Sequence, residues 1–335
     1  MVSIIMSNYN TPEEYLRASI ESVLSQTYTN FEFIIIDDCS TDDSLDVIKS
    51  YKDDRIIILQ NDKNIGLTKS LNRGLEIAQG EYVARMDADD VCFPERLEKQ
   101  INYMNENPQI IVCGCGVELI GSWKGKYSNK VICRKILERD LHRIYLLFGN
   151  HMNIVHPTAV FRRKALVSNN IKYDDRYIYA QDFRMWVECT RYGECRNLDE
   201  ILLKYRVHDN AVTVSKKEQQ KECAKSIMAE QLSWLDLTMP DNWENVHWGL
   251  LNERKPYSAE CKKWIKRIIE KNKIHKVYNQ KKLKNLLFKK WAEISYFALQ
   301  KEKNPVNLMR ILLNIPIKYW VQLLIIRQNR KKKEW

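Results

Sequence analysis

Cys-x-x-Cys pairs are missing from this sequence of 335 residues. It contains nine cysteines, an odd number, and no two of them form a Cys-x-x-Cys pair. This pattern is typical of reduced thiols in a cytosolic protein and argues against a disulfide framework. Cys113 and Cys115 are each followed by a glycine, but no further ligands at suitable spacing accompany them, so we do not expect a zinc site.

Long apolar runs, internal repeats and low-complexity tracts are also absent. A membrane-spanning helix needs about 20 mainly apolar residues, and the segment Leu308 to Ile326 is interrupted by Arg310, Asn314, Pro316, Lys318 and Gln322. We therefore expect no transmembrane helix there. The chain starts directly in an apolar run, so no signal peptide is expected. The length suits one large domain with a substantial appendage.

Charge divides the chain into two parts. Residues 1–215 contain 27 Lys and Arg against 31 Asp and Glu, whereas residues 216–335 contain 27 against 12. The second part also has apolar residues at helical spacing between its lysines, for example Trp264, Ile265 and Ile268. We therefore predict a domain over residues 1–215 and a basic α-helical extension over residues 216–335.

Four short apolar runs alternate with helical patterns in the first part: Ser3–Met6, Phe33–Ile36, Ile56–Leu59 and Tyr82–Met86. This alternation predicts a doubly wound α/β domain with mostly parallel strands. Continuous apolar strands agree, because parallel strands are buried on both faces. Ligands of such sheets bind at the carboxyl ends of the strands, so polar residues directly after these runs are candidate site residues.

The most informative of these polar segments is Asp87-Ala88-Asp89-Asp90, which follows the fourth run. Carboxylates are hard oxygen ligands that suit a divalent cation, and a divalent cation suits a diphosphate. The alternative is a solvated acidic loop or a helix cap, which is common for acidic clusters.

An ordered set of blocks surrounds that segment: Ser3 to Asn10, Ile35 to Ser40, Asn64-Ile65-Gly66, Asn72, Gly80-Glu81-Tyr82 and Met86 to Asp90, with Pro94 and Arg96. Together they resemble the nucleotide half of the family 2 glycosyltransferases, of the type found in bacterial polysaccharide biosynthesis. That fold is called GT-A. The resemblance implies a Rossmann-like nucleotide-binding half, a mixed central sheet flanked by helices, and an inverting transferase that uses a nucleotide-activated sugar.

The resemblance also implies a donor site. Asp38 would accept the N–H of a uracil ring, Ser7 and Tyr9 would line the base and ribose, and Asn72 would belong to the same site. The alternatives are that Asp37 and Asp38 cap the next helix and that Tyr9 is an aromatic residue at the rim.

Metal binding is implied for the acidic segment. Asp87 and Asp89 would hold the ribose and a Mn²⁺ or Mg²⁺ ion that bridges the two phosphates, and Asp90 either supports them or caps the next turn. Tyr205-Arg206-Val207-His208 resembles a block near the metal and diphosphate, so His208 is a candidate third ligand. Arg206 would contact phosphate or acceptor, or lie on the surface.

The block around Gln181-Asp182 resembles the one that carries the catalytic base. The family pattern there is Glu-Asp, so Gln181 departs from it, and Asp182 is the predicted base that takes a proton from the acceptor hydroxyl. The alternative is a plain helix N-cap, with Asp174 and Asp175 as substitute bases. His156 is interpreted as a hydrogen-bonded structural residue.

Two function classes follow from this sequence. The first is a glycosyltransferase that moves sugar from a UDP-hexose or UDP-N-acetylhexosamine to a glycan or lipid-linked acceptor in cell-surface polysaccharide synthesis. The second is a non-catalytic GT-A-fold protein that binds nucleotide or lipid. Because lysines and the aromatic residues Tyr319 and Trp320 accompany the C-terminal segment, we expect peripheral contact with an anionic membrane on its cytoplasmic face. The alternative is that the basic helices pack on the catalytic domain and expose their lysines to water. Without a nucleic-acid module, no nucleic-acid partner is expected.

Overall fold

The computed structural model describes residues 1–123, 126–127, 130–150, 154–208, 216–252, 259–301 and 304. The chain divides into two compact units. One comprises residues 1–142 and 152–224, and the other comprises residues 143–151 and 225–335. Every candidate site residue named above lies in the first unit. The domain boundary after residue 215 stays a prediction.

The strands are β1 (Val2–Asn8), β2 (Phe31–Asp37), β3 (Ile56–Gln60), β4 (Tyr82–Asp87), β5 (Val91–Cys92), β6 (Ile110–Trp123), β7 (Lys126–Tyr127), β8 (Val131–Ile132), β9 (Val160–Arg162) and β10 (Glu194–Val207). The helices are α1 (Glu13–Leu24), α2 (Ser44–Ser50), α3 (Leu67–Ile77), α4 (Arg96–Glu106), α5 (Arg139–Leu147), α6 (Arg163–Ser168), α7 (Gln181–Tyr192), α8 (Lys217–Ser233), α9 (Gly249–Asn252), α10 (Ala259–His275) and α11 (Gln280–Lys301). The four strands predicted from the apolar runs are β1 to β4.

One mixed sheet organises the first unit, in the order β3-β2-β1-β4-β9-β6-β10-β5, with β7 and β8 paired to β6. Strands β1 to β4 pair in parallel. Strand β9 runs antiparallel to both β4 and β6, and the long strand β10 pairs in parallel with β6 and antiparallel with β5. The sheet is therefore parallel at one end and mixed at the other.

The apolar strands are buried because helices cover both sheet faces. Ile4 and Met6 of β1 belong to the same buried cluster as Leu16 and Ile20 of α1. Such fully buried side chains contribute about 1.5–3 kcal/mol each. On the other face, a Cβ at Gly74 would come within 2.6 Å of the Ile5 side chain, so the glycine lets α3 approach the sheet closely.

The second unit is helical in its described part. Trp264, Ile265 and Ile268 of α10 are at most 6% exposed, and the apolar stripe of α11 is buried as well. His247 donates from Nε2 to the Leu147 carbonyl (2.8 Å) and accepts at Nδ1 from the Trp264 indole (3.0 Å). Burial lowers the pKa of His247 to about 4, which keeps the ring neutral.

The C-terminal segment predicted to touch a membrane, residues 306–335, lies outside the described residues. Among the residues that are described, no helix combines the length and apolar character needed to cross a bilayer.

Candidate active site

The register of the parallel strands brings the predicted donor residues to one edge of the sheet. Ser7 of β1 pairs with Ile36 of β2 on one side and with Asp87 of β4 on the other. Ser7 is half-buried, and Tyr9 is 49% exposed in the turn that follows. The carboxyl ends of β1, β2 and β4 therefore lie side by side, as the topology of such sheets requires for a ligand site.

Asp37 has a structural role at this edge. Its carboxylate accepts hydrogen bonds from the Asn8 amide (3.1 Å) and from the backbone N–H of Ser40 (3.1 Å). It is completely buried. Asp37 thus ties the end of β1 to the loop after β2. The first residue before α2 is Asp43, and it makes no side-chain cap.

Asp38 holds the loop that leads into α3. Its Oδ1 accepts from the Asn61 amide (2.6 Å) and the backbone N–H of Ile65 (2.9 Å), and its Oδ2 accepts from the backbone N–H of Gly66 (2.8 Å). A carboxylate has about four acceptor sites, so Oδ2 retains one for a further donor such as a ring N–H. Gly66 adopts φ +86°, which only glycine does readily.

Asn72 links α3 to a distant loop. Its amide donates to the Tyr173 carbonyl (2.8 Å) and accepts from the Tyr173 N–H (3.0 Å). The structure thus uses the side chain as a clamp on the Tyr173 backbone, and one N–H of the amide remains for the predicted donor contact.

The acidic segment forms a compact cluster. Ligand atoms of Asp87, Asp89 and Asp90 all lie within 4.8 Å of one another. Burial, together with the charge of Asp87, raises the pKa of Asp89. Burial and the charges of Asp87 and Asp89 raise the pKa of Asp90 well above its usual value, and its Oδ2 has no hydrogen-bond partner among the described residues. Crowded oxygen ligands that repel one another fit a divalent cation, because the cation relieves the repulsion.

The end of β10 donates hydrogen bonds to this cluster. The backbone N–H of Arg206 donates to Asp90 Oδ1 (2.8 Å), and its Nε donates to the Asp89 carbonyl (2.8 Å). The guanidinium lies 3.8 Å from the centre of the Tyr15 ring. His208 is the first residue after β10, and its Nε2 lies 3.4 Å from Asp89 Oδ2. The structure therefore brings His208 to the acidic cluster, and Arg206 is neither a free surface residue nor open to a ligand through Nε.

Asp182 lies in the first turn of α7, where its Oδ1 accepts from the N–H of Phe183 (2.7 Å). Its surroundings overlap those of Asp87. Burial raises the pKa of Tyr205 above its usual range, and the charges of Asp87 and Asp182 both add to this effect. The same two carboxylates act on buried Tyr173. Asp182 and the acidic cluster therefore share one neighbourhood.

The substitute bases are engaged elsewhere. Asp174 accepts from the backbone N–H of Arg176 (3.0 Å) and pairs with its guanidinium (2.6 Å), which lowers the pKa of Asp174. Asp175 is 57% exposed, 3.9 Å from Lys69. Asp182 stays the predicted base, with Asp174 paired to Arg176 and Asp175 near Lys69.

Sequence reasoning missed two residues beside the site. Arg85 is buried between the strands and donates to Asp87. Tyr173 is buried and its hydroxyl lies 2.8 Å from Nε2 of His156. Burial lowers the pKa of His156 well below 6.5, in agreement with the structural interpretation of this residue. The available signal for Arg85 was a charged residue inside an apolar strand, whereas no local pattern marked Tyr173.

A polar cleft of about 510 Å³ begins at the same tyrosine. It runs along one face of α7 and is lined by Asn72, Tyr173, Asp174, Arg184, Glu188 and Tyr192, among others. Arg184, one of these lining residues, lies two positions after Asp182 in α7.

A mixed sheet with a cluster of acidic residues at the carboxyl end of β4 is the arrangement that the resemblance to the GT-A glycosyltransferases predicts. Residues 3–168 match the family model "Glycosyl transferase family 2". An uncharacterized glycosyltransferase of Methanocaldococcus jannaschii is 35% identical over 231 residues, which cover 66% of this chain and 76% of that protein. The chain therefore belongs to family 2 of the glycosyltransferases.

Two further relatives have more specific names. The amylovoran biosynthesis glycosyltransferase AmsE of Erwinia amylovora is 32% identical over 216 residues, or 63% of this chain and 78% of that protein. The UDP-Glc:alpha-D-GlcNAc-diphosphoundecaprenol beta-1,3-glucosyltransferase WfaP of Escherichia coli is 32% identical over 218 residues, or 64% and 81%.

Solved structures agree on the fold. Residues 1–349 of S. aureus TarS, crystallised with UDP-GlcNAc, superpose with a TM-score of 0.59 at 18% identity, covering 96% of this chain and 91% of that one. The chain spans 52% of a longer crystallised form of TarS. The predicted GT-A fold, with a mixed sheet flanked by helices, is thereby confirmed.

Proposed function

We propose that this glycosyltransferase is metal-dependent and inverting. It takes a sugar from a UDP-hexose or UDP-N-acetylhexosamine and attaches it to a hydroxyl of a glycan or lipid-linked acceptor in cell-surface polysaccharide synthesis. The observation that carries the proposal is the convergence of Asp87, Asp89 and His208 at one sheet edge, with Asp182 in the same neighbourhood.

The residues divide the work between donor and acceptor. Ser7, Tyr9, Asp38 and Asn72 would contact the nucleotide, and the lone pair left on Asp38 suits a uracil N–H. Asp87, Asp89 and His208 would hold Mn²⁺ or Mg²⁺. Such a cation, when bound, offsets negative charge on the departing nucleotide diphosphate.

On the acceptor side, Asp182 would take the proton of the acceptor hydroxyl while that oxygen attacks the anomeric carbon. The names of the relatives support a UDP-linked donor, since one is a UDP-glucose transferase and one neighbour was crystallised with UDP-GlcNAc. A role in polysaccharide synthesis is supported by the amylovoran enzyme.

A donor screen tests this proposal. The protein is incubated with a panel of UDP- and dTDP-sugars, with Mn²⁺ or with a chelator, and slow release of the nucleotide diphosphate is measured. We expect hydrolysis of at least one UDP-sugar that stops when the cation is removed. Absence of hydrolysis with every donor would instead support a non-catalytic protein, and UDP binding in the same experiment would decide whether that protein binds nucleotide.

We further propose that the basic C-terminal segment attaches the enzyme to the cytoplasmic face of an anionic membrane. The full chain should sediment with vesicles that contain anionic lipid, and salt should release it, because the attraction is screened within about 8 Å at physiological ionic strength. Replacing Lys331, Lys332 and Lys333 by glutamate should abolish sedimentation.

A matched variant controls for charge alone. Lys281, Lys282 and Lys284 of α11 replaced by glutamate change the net charge by the same amount and should leave sedimentation nearly unchanged. Equal loss in both variants, or no binding by the parent chain, would contradict attachment through the C-terminal segment.

A further inference from the structure

A buried arginine lies directly beneath the acidic cluster. Arg85 is 2% exposed and precedes Asp87 by two residues on β4, so both side chains project from the same face of the strand. Its Nη2 donates to Asp87 Oδ1. Its backbone is fixed on both sides, since the N–H donates to Ala159 (2.8 Å) and the carbonyl accepts from Arg96 (2.9 Å).

Packing does not explain an arginine at this position. Its neighbours Tyr82, Val83, Ala84 and Met86 are all buried and uncharged. Nε and Nη1 of Arg85 are buried without a hydrogen-bond partner among the described residues. A buried guanidinium with unmade hydrogen bonds is costly, and apolar residues of similar size are usually at least as stabilising.

The Arg85 guanidinium is bound directly to the acidic cluster. Asp87 is its ion-pair partner, and the charge of Arg85 also acts on Asp90, where it opposes the rise in pKa. The same charge acts on buried His156 and Tyr173. Among the described residues, the hydrogen-bond partner of the guanidinium is therefore a carboxylate of the acidic cluster.

Asp87 has one oxygen left for a ligand. Oδ1 is held by Arg85, and Oδ2 has no hydrogen-bond partner among the described residues, while the side chain is 29% exposed. A carboxylate at the end of a strand can rotate about its side-chain torsions unless one oxygen is fixed, and the bond to a buried guanidinium fixes it.

We propose that Arg85 is a positioning residue that orients Asp87, so that Oδ2 faces the cation and the nucleotide. This inference rests on the proposed function. Burying the guanidinium costs stability. The arginine stays at this position because the orientation it gives Asp87 is needed for donor binding.

A double-mutant cycle tests it, with UDP binding measured by calorimetry in the presence of Mn²⁺. In the parent chain, Arg85→Met should weaken UDP binding by about 10–100-fold, the usual effect of removing a hydrogen bond to a charged group. In the Asp87→Ala background the same change should alter affinity less than about twofold, since nothing remains to be oriented. Arg85→Lys, which keeps a charged donor, should recover part of the affinity.

Arg162 provides the matched control. It also contacts β4, through the Tyr82 hydroxyl (3.1 Å), and its other hydrogen bonds go to the Met104 (2.8 Å) and Ile110 (3.3 Å) carbonyls. Its carboxylate partner among the described residues is the exposed Glu81, 3.9 Å away and just before the start of β4, at the opposite end of the strand from Asp87. Arg162→Met should lower the thermal stability while leaving UDP affinity nearly unchanged in both backgrounds.

The outcomes separate the inference from the function. If Arg85→Met weakens binding equally with and without Asp87, or has no effect in the parent chain, Arg85 does not act through Asp87 and the inference is overturned. Should the methionine variant not fold, the cycle is run with Arg85→Lys and judged by the same criterion. Failure of the parent chain to bind UDP with Mn²⁺ would overturn the proposed function itself.

Discussion

Replacement of Asp182 by asparagine is expected to lower turnover by about 10²–10⁴-fold, the range typical of removing a general base. The amide has the same shape but cannot take the acceptor proton. UDP affinity should stay within about twofold, because the acidic cluster is untouched. Steady-state kinetics with a UDP-sugar that the parent chain hydrolyses measures turnover, and calorimetry with UDP measures affinity.

Asp174 and Asp175 supply the controls for this variant. Asp174→Asn removes a carboxylate already paired with Arg176, and Asp175→Asn removes an exposed one. We expect turnover in both to remain within about tenfold of the parent, below the range of a lost base. A large loss in either, with a small one for Asp182→Asn, would move the base to that residue.

Replacement of Asp89 by alanine is expected to remove the cation dependence of UDP binding. Asp89 is the member of the acidic cluster that faces His208, so its loss takes away the centre of the proposed ligand set. Loss of residues that only support metal ligands costs about 10–100-fold, so loss of a ligand should weaken Mn²⁺-dependent UDP binding by at least that factor. Asp87→Ala should act in the same direction.

Asp54→Ala is the control for this variant, because Asp54 is exposed and lies at the start of β3, away from the cluster. It should bind UDP like the parent chain, with and without chelator. Unchanged UDP affinity of the parent chain in the presence of chelator would contradict the metal role of Asp87 and Asp89.

The parallel half of the fold could be predicted because its signal is local. Each of β1 to β4 is a mainly apolar run, β1 to β3 are each followed by a helix, and parallel strands are typically buried on both faces. The polar residues at their ends then fall at one sheet edge by topology alone. This reasoning predicts Ser7 and Asp87 at strand ends on one sheet edge, and the structure pairs them directly.

The mixed end of the sheet, which contains β9, β6, β10 and β5, could not be predicted in this way. Strand β9 has three residues, and β10 pairs with β6 across register shifts, so neither carries a clear periodic pattern. The position of β10 decides how His208 reaches Asp89 and how Arg206 supports the acidic cluster. The resemblance to the family suggested His208, whereas composition and periodicity did not.

Side-chain partners were the other limit. Sequence reasoning assigned Asp38 to the nucleotide and left helix capping as the alternative, but the structure shows Asp37 joining Asn8 to the Ser40 loop and Asp38 joining Asn61 to the loop before α3. The same reasoning treated β4 as an apolar run and passed over Arg85 within it. In both cases the deciding contacts join residues that are distant in sequence or lie on adjacent strands.

The configuration of the product tests the central claim most directly. Direct displacement, with Asp182 as base on the face opposite the departing diphosphate, inverts the anomeric carbon. Proton NMR of a product formed from an α-linked UDP-sugar should therefore show a β-linkage. An α-linkage from that donor would contradict the account.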